Sequence, residues 1–283
     1  MPKPPWLRAR LRVTPEFEAV ERAIRERRLH TVCFAAACPN LGECWARGTA
    51  TFMVGGSLCT RRCGFCDVTT GRPAPLDPGE PKRVAEAVEA LGLRFAVVTC
   101  VARDDLPDGG AGQMAATVRA IRSRCPGTGI EVLIADYKGE ESALRAVLEA
   151  GPDVLNHNLE TVERLQRRVR PAAAYGRSLA VLRRARELSP EIPTKSGLML
   201  GLGEQDAEVA AALADLRAAG VSLLTLGQYL QPSPAHLPVA RYVPPAEFDA
   251  WAQRARELGF AEVAAGPLVR SSYRAEQLAG FTE

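Results

Sequence analysis

Nowhere in these 283 residues does an apolar run approach the ~18 that a membrane-spanning helix needs. The N-terminal stretch, rich in Arg and also in Glu, lacks the apolar centre of a secretion signal and the acid-poor composition of a transit peptide. A cytoplasmic protein with no membrane and no nucleic-acid partner is therefore expected. Histidine is scarce, at three residues, and His157 alone is no metal-site signal. Internal repeats, low-complexity tracts and linkers long enough to separate independent domains are also missing. What the chain does have is cysteine: eight, at Cys33, Cys38, Cys44, Cys59, Cys63, Cys66, Cys100 and Cys125, six of them between Cys33 and Cys66. A secreted disulfide scaffold would be smaller and would spread its cysteines. Charge is uneven as well. The first thirty residues, with Lys3, Arg8, Arg10, Arg12, Arg22, Arg25, Arg27 and Arg28, carry a net +4 against −1 for the remainder. That segment reads either as a solvated helix face around Phe17, Val20 and Ile24 or as a docking surface for an acidic partner.

Short apolar, β-prone runs alternate with amphipathic helical patterns. The candidate strands are Thr51–Ser57, Phe95–Val101, Ile130–Ala135, Val154–Leu159, Ser196–Leu202 and Val221–Leu226, with a weaker seventh near Val263–Val269. Helical patterns at Pro81–Leu91, Gln113–Arg124, Glu140–Glu149, Ser178–Leu188 and Glu204–Ala218 separate them. This alternation predicts a parallel sheet covered by helices. Each strand runs at its C-terminal end into polar groups, which favours a barrel mouth over the single switch point of a doubly wound sheet. The expected fold is α/β, a partial (βα)6-type TIM barrel over residues 51–230. An N-terminal extension, residues 1–50, shows no strand pattern. The C-terminal extension, residues 231–283, begins with an ordered proline-rich connector, Gln231–Pro245, and a helix at Glu247–Leu258; all three parts form one integrated domain.

Cys59-Thr-Arg-Arg-Cys63-Gly-Phe-Cys66 places three thiols on one loop directly after a strand. Three thiolates can hold three irons of a cubane cluster whose full complement is four, leaving one iron open. Zinc would need His30 or another distant ligand, a Cys63–Cys66 dithiol would leave Cys59 unexplained, and inert buried thiols are the remaining alternative. A second triad, Cys33-x4-Cys38-x5-Cys44, again lacks an obvious fourth ligand. Cys100 ends an apolar strand and Cys125 ends a basic helix, and both read as bystanders.

The C-x3-C-x2-C spacing, with Phe65 before its last cysteine, resembles the signature of the radical S-adenosylmethionine (SAM) enzymes. Within them the chain resembles the lipoyl synthases. The markers are Leu29-His-Thr-Val-Cys33, Cys38-Pro-Asn-Leu-Gly-Glu-Cys-Trp45, Arg103-Asp-Asp-Leu-Pro-Asp-Gly-Gly110, Asn156-His-Asn-Leu-Glu-Thr-Val162, Lys195-Ser-Gly-Leu-Met199, Leu226-Gly-Gln-Tyr-Leu-Gln-Pro-Ser233 and Arg270-Ser-Ser-Tyr273. Phe34 and Ala35 depart from acidic residues common in that family, and Cys100 and Ala102 from its usual Ser and Asp; none touches an expected ligand.

The resemblance implies two 4Fe-4S clusters and SAM as cofactors. Cys59, Cys63 and Cys66 would hold the cluster that cleaves SAM to a 5′-deoxyadenosyl radical. Cys33, Cys38 and Cys44, with Ser272 as fourth ligand, would hold an auxiliary cluster that supplies sulfur. The implied reaction, that of a sulfurtransferase in lipoate biosynthesis, inserts two sulfur atoms at C6 and C8 of an octanoyl chain on a carrier lysine. Phe65, Asn158, Lys195, Asp104 and Asp105 are candidates for the SAM site, although Lys195 also reads as a salt-bridge residue and the aspartates as helix caps. Implied partners are octanoylated carrier domains, namely the E2 subunits of 2-oxoacid dehydrogenases and the H protein of glycine cleavage, and an electron donor such as flavodoxin or ferredoxin, with the chain itself a monomer. The alternative is another radical SAM sulfur-inserting enzyme, a methylthiotransferase or a biotin-synthase relative.

Overall fold

Seven parallel strands in sequential order form the centre of the computed structural model, which describes residues 2–8, 13–47 and 49–281. They are β2 (Thr51–Val54), β3 (Phe95–Cys100), β4 (Gly129–Leu133), β5 (Val154–Asn156), β6 (Thr194–Leu200), β7 (Leu223–Gln228) and β8 (Glu262–Gly266). Each pairs with the next, and a two-residue strand, β1 (His30–Thr31), pairs antiparallel with β2. Sequential order with no switch in winding is the topology of a barrel rather than of a doubly wound sheet. The sheet stays open, since among the described residues β8 has no strand partner beyond β7.

The strand ends lie within a few residues of the sequence expectation. β2 stops at Val54 because Gly55 and Gly56 take positive φ and turn the chain. β1 falls in the extension expected to hold no strand, and two residues are too few to carry a period. Helices cover the sheet with one face. Thr14 caps the first of them, Pro15–Glu26, by accepting from the Phe17 amide at 3.2 Å, and its stripe of Val20, Ala23 and Ile24 is buried. Arg22, Arg25 and Arg28 stay exposed, and Arg10 and Arg12 lie outside the described residues.

Outward-facing strand residues build two apolar clusters. Phe52, Val54, Ala96, Val98, Ile130, Val132 and Leu155 form one with Val20, Ile24, Cys33 and Trp45, so the N-terminal extension shares the barrel's own core. Leu198, Leu200, Leu224 and Leu226 form the other. The alternate residues face inward and include Thr51, Thr99, Glu131, Asn156, Lys195 and Thr225, an interior more polar than a packed barrel usually shows. The C-terminal segment enters this interior. Gly227 of β7 allows it, because a Cβ there would stand 2.1 Å from the Val269 carbonyl oxygen. Farther on, Ala275 packs with Phe95 and Val97, and the Phe281 ring lies 5.1 Å from that of Phe95.

Candidate active site

The loop after β2 is closed on itself. The Cys59 amide donates to the Thr69 carbonyl at 2.9 Å, and the Gly71 amide returns to the Cys59 carbonyl at 3.0 Å. Thr60 ties the loop to the end of β3 through its amide and hydroxyl, both donating to the Ala102 carbonyl. Gly64 lies between two other segments, donating to Val169 at 2.8 Å and accepting from Leu237 at 3.0 Å. A Cβ at Gly64 would meet the Leu237 side chain at 2.9 Å. The His236 ring reaches the Cys66 carbonyl through Nε2, at 3.1 Å, and the Ser233 hydroxyl through Nδ1. Burial pushes the Cys63 thiol up to about 11 and the Cys66 thiol up to about 12, and Cys59 raises both, so the three sulfurs lie within electrostatic reach of one another. The Arg61 amide points at the Cys59 sulfur, 3.4 Å away.

The second triad lies at the opposite end of β2, where the backbone of Thr51 hydrogen-bonds the Cys33 thiol. Cys33 is on the short helix Val32–Ala35, Cys44 on the helix Leu41–Ala46, and Cys38 on the loop between. Burial pushes Cys33 up to about 11 and Cys44 up to about 12, with Cys38 adding to both. The C-terminal segment lies over this triad. The Asn40 amide donates to the Leu268 carbonyl at 2.6 Å, the Tyr273 hydroxyl to Glu43 at 2.9 Å, and Arg47 pairs with Glu276 at 3.0 Å. Ser271 accepts a hydrogen bond from the Asn158 carboxamide at 2.6 Å, so half-buried Ser272 stands between two anchored neighbours. Arg270 lies within the fields of Cys38 and Glu160; burial lowers its proton affinity and those two groups oppose the shift.

The other candidate residues separate into groups. Asp104 accepts two bonds from Arg61, at 2.7 and 2.8 Å, and Arg61 continues at 2.6 Å to Asp136, which also takes Arg177 at 2.7 Å. Against its burial, Arg61 and Arg177 hold the Asp136 carboxyl well below the usual range. Asp105 pairs with Arg103 at 2.8 Å, and Arg103 also holds the Gly55 and Ala74 carbonyls. Neither aspartate caps the following helix. Asp108 does so, accepting from the Gly110 and Gly112 amides. A cavity of about 440 Å3 opens beside Asp104, Asp105, Tyr137 and Lys138. Half-buried Phe65 packs against the apolar cluster on β6 and β7. Lys195 is sealed inside, its ammonium 2.8 Å from Glu131. His157 is buried between the Ile134 carbonyl and the Ser178 hydroxyl.

Sequence reasoning missed Arg61, Glu131 and Glu160, and singled out Asp136 only as a polar group at a strand end. A detectable signal existed for Glu131, a lone acid inside an apolar strand. Cys100, read as a bystander, stands close enough to Cys59 to feel its charge.

Residues 53–216 match the model of the radical SAM superfamily. The chain is 59% identical to a lipoyl synthase of Methylococcus capsulatus over 99% of its own length and 87% of that protein. It is 56% identical to a lipoyl synthase of Thermus thermophilus, over 98% and 86%. The chain belongs to the lipoyl synthase family. Solved structures agree on the fold. A crystal structure of Streptococcus suis SuiB bound to S-adenosylmethionine superposes with a TM-score of 0.59 at 8% identity, covering 80% of this chain and 54% of that one. Methylornithine synthase gives 0.52 at 13%, over 89% and 78%.

As a member of the lipoyl synthase family the chain is an enzyme that works with SAM and 4Fe-4S clusters on a protein-bound octanoyl substrate. The donor set fits such groups. Two separate triads of mutually coupled thiols are present, one cradled where Gly64 leaves no room for a side chain. Among the described residues no three or more His, Cys, Asp or Glu side chains are arranged to hold a single metal ion. A cubane places each thiolate on a different iron and spreads its ligands farther than one zinc ion does. No helix among the described residues is long and apolar enough to cross a membrane.

Proposed function

We propose that this chain inserts two sulfur atoms, at C6 and C8, into an octanoyl group amide-linked to a carrier lysine. Cys59, Cys63 and Cys66 would hold the cluster that binds SAM, and Cys33, Cys38, Cys44 and Ser272 the auxiliary cluster. The observation that carries this reading is the path of the Arg270–Tyr273 segment. It bonds through Ser271 to Asn158 at the end of the parallel strands and through Tyr273 to Glu43 beside the Cys33–Cys38–Cys44 triad, so one tetrapeptide touches both surroundings. When bound, the clusters and SAM supply the electron, the hydrogen-abstracting radical and the sulfur. The chain's own residues do the positioning. Arg61 fixes the cysteine loop against Asp104 and Asp136, Phe65 and Asn158 offer an apolar face and a carboxamide to SAM, and Asp104 and Asp105 arrive with their charges already paired. Lys195 acts from inside the barrel through Glu131. A hydroxyl-bearing fourth ligand is harder than thiolate and is readily displaced from a thiophilic iron, as a cluster that gives up sulfur requires.

The substrate carriers fitting this reading are the E2 subunits of 2-oxoacid dehydrogenases and the glycine cleavage H protein. Flavodoxin or ferredoxin would supply electrons, to a cytoplasmic monomer. Its parts would be residues 1–50, 51–230 and 231–283, integrated as one domain. The exposed Arg22, Arg25 and Arg28 are the proposed contact for an acidic carrier face; reversing their charge should weaken substrate binding and flatten its salt dependence.

The test is anaerobic reconstitution with iron and sulfide, followed by SAM, a reductant and an octanoyl-lysyl carrier domain, with mass spectrometry for two added sulfurs. Cys63→Ala should abolish SAM cleavage. Cys38→Ala should keep cleavage and lose sulfur insertion, and full insertion by that variant would remove the auxiliary triad from the reaction.

A further inference from the structure

The outer wall of the cysteine loop is crowded with arginine. Residues 59–72 and 163–170 meet at Gly64 and hold seven arginines against two acids, Asp67 and Glu163. Part of that charge is already committed. Arg61 bonds Asp104 and Asp136, Arg164 pairs with Glu208 at 2.7 Å, and Arg170 is buried on the Asn158 and Leu159 carbonyls at 3.1 Å. Arg72 lies within the field of Asp105, and Asp67 faces the His236 ring at 3.8 Å. Arg62, Arg167 and Arg168 are exposed and, among the described residues, have no carboxylate partner. Arg62 stands on the loop itself, between Cys59 and Cys63, and the other two on the short helix Gln166–Val169.

The wall beneath these three is closed. The Gly64 amide donates to the Val169 carbonyl at 2.8 Å and its carbonyl accepts from Leu237 at 3.0 Å. A Cβ on Gly64 would stand 2.9 Å from the Leu237 side chain and 3.4 Å from the Arg168 carbonyl. An acyl-lysine arm has no way through backbone packed this tightly. An electron does, by tunnelling at a rate that falls steeply with thickness, and Cys63 and Cys66 flank Gly64-Phe65 directly behind the wall. We infer that Arg62, Arg167 and Arg168 form the docking surface for a small acidic one-electron carrier protein. One electron leaves the reduced carrier and enters the loop cluster through the Gly64 wall, with no bond made or broken. Encounters of this kind bury little area, so a few unpaired charges are enough to steer and orient them. The inference rests on the reading of Cys59, Cys63 and Cys66 as the ligands of the SAM-cleaving cluster. It also gives the two protein partners separate surfaces, the substrate carrier at Arg22, Arg25 and Arg28 and the electron carrier here.

The test uses the reconstituted full-length protein in the Cys38→Ala background, so that the loop cluster alone is read, with reduced flavodoxin as the acidic carrier. The Kd for flavodoxin and the stopped-flow rate at which it reduces the cluster are measured at low ionic strength. Arg167→Glu/Arg168→Glu should weaken binding and slow reduction by about tenfold or more, with the difference closing as salt is added. Arg167→Lys/Arg168→Lys should behave as the parent, and each single reversal should give part of the loss. Reduction by dithionite, which needs no docking, should be equal in all of them. Flavodoxin binding unchanged by the reversal overturns the proposal. So does a loss that falls on an octanoyl carrier domain instead of on flavodoxin. The underlying reading fails separately: a loop that holds no cluster gives no signal reducible by dithionite in the Cys38→Ala protein.

Discussion

The Lys195 ammonium lies 2.8 Å from one Glu131 carboxylate oxygen and 3.1 Å from the other, and neither side chain is more than 1% exposed. Asn156 completes the group by donating to Glu131 at 2.8 Å. An ion pair at this depth has lost its hydration, and removing one member strands the other. Lys195→Met or Glu131→Gln should therefore lower unfolding free energy by about 3–5 kcal/mol, and the double variant should cost less than the sum of the two. Urea unfolding across the full cycle measures this; additive costs would mean that the pair is not coupled.

Gly64→Ala places a methyl group 2.9 Å from Leu237. The expected cost is about 1–3 kcal/mol of overpacking, felt at the cysteine loop. Iron content after reconstitution should drop by up to half in this variant and recover when Leu237→Ala is added.

His157 sets a pH dependence. Burial, reinforced by Arg170, pushes its pKa down to about 4. Above the unfolded value of about 6.5 the ring is neutral in both states and contributes nothing. Between there and about 4 the unfolded chain takes up a proton that the folded one refuses. Stability is lost in that window as pH falls, at up to about 1.4 kcal/mol per unit. His157→Gln should show a flatter dependence of the urea midpoint between neutral pH and the acid end of that window. Parallel profiles would mean that other groups govern the loss.

Gly227→Ala tests the C-terminal segment directly. The Val269 carbonyl is backbone and cannot rotate away from a Cβ 2.1 Å off, so the segment must shift. Limited proteolysis should cut this variant near its C-terminus faster than the parent chain. The iron bound through the Cys59–Cys66 loop should be retained.

The parallel strands and their covering helices were legible because buried strands need continuous apolar runs and the helices need stripes, as Phe95–Cys100 and the Val84–Val88 stripe show. The two cysteine triads were legible from spacing alone. The partners of the polar candidates were not. Asp104, Asp105 and Lys195 find their counterions at Arg61, Arg103 and Glu131, and two of these pairs span 43 and 64 positions, a separation no local pattern encodes. Lys195 was open to two readings, and the ion pair is the one it makes. The resemblance singled out the Arg270–Tyr273 segment, while its entry into the barrel interior depends on the absence of a side chain at Gly227, whose role shows only in three dimensions.

The contacts from Asn40 to Leu268 and from Glu43 to Tyr273 join residues more than two hundred positions apart. During synthesis the Cys59–Cys66 loop has its β2 and β3 supports long before the segment from Leu268 to Glu276 is made. The Cys33–Cys44 region has no cover from this segment until those residues have left the ribosome. A nascent or truncated chain that lacks the segment from Leu268 to Glu276 therefore leaves one set of thiols open to oxidants and adventitious metals while the other already has its strand supports.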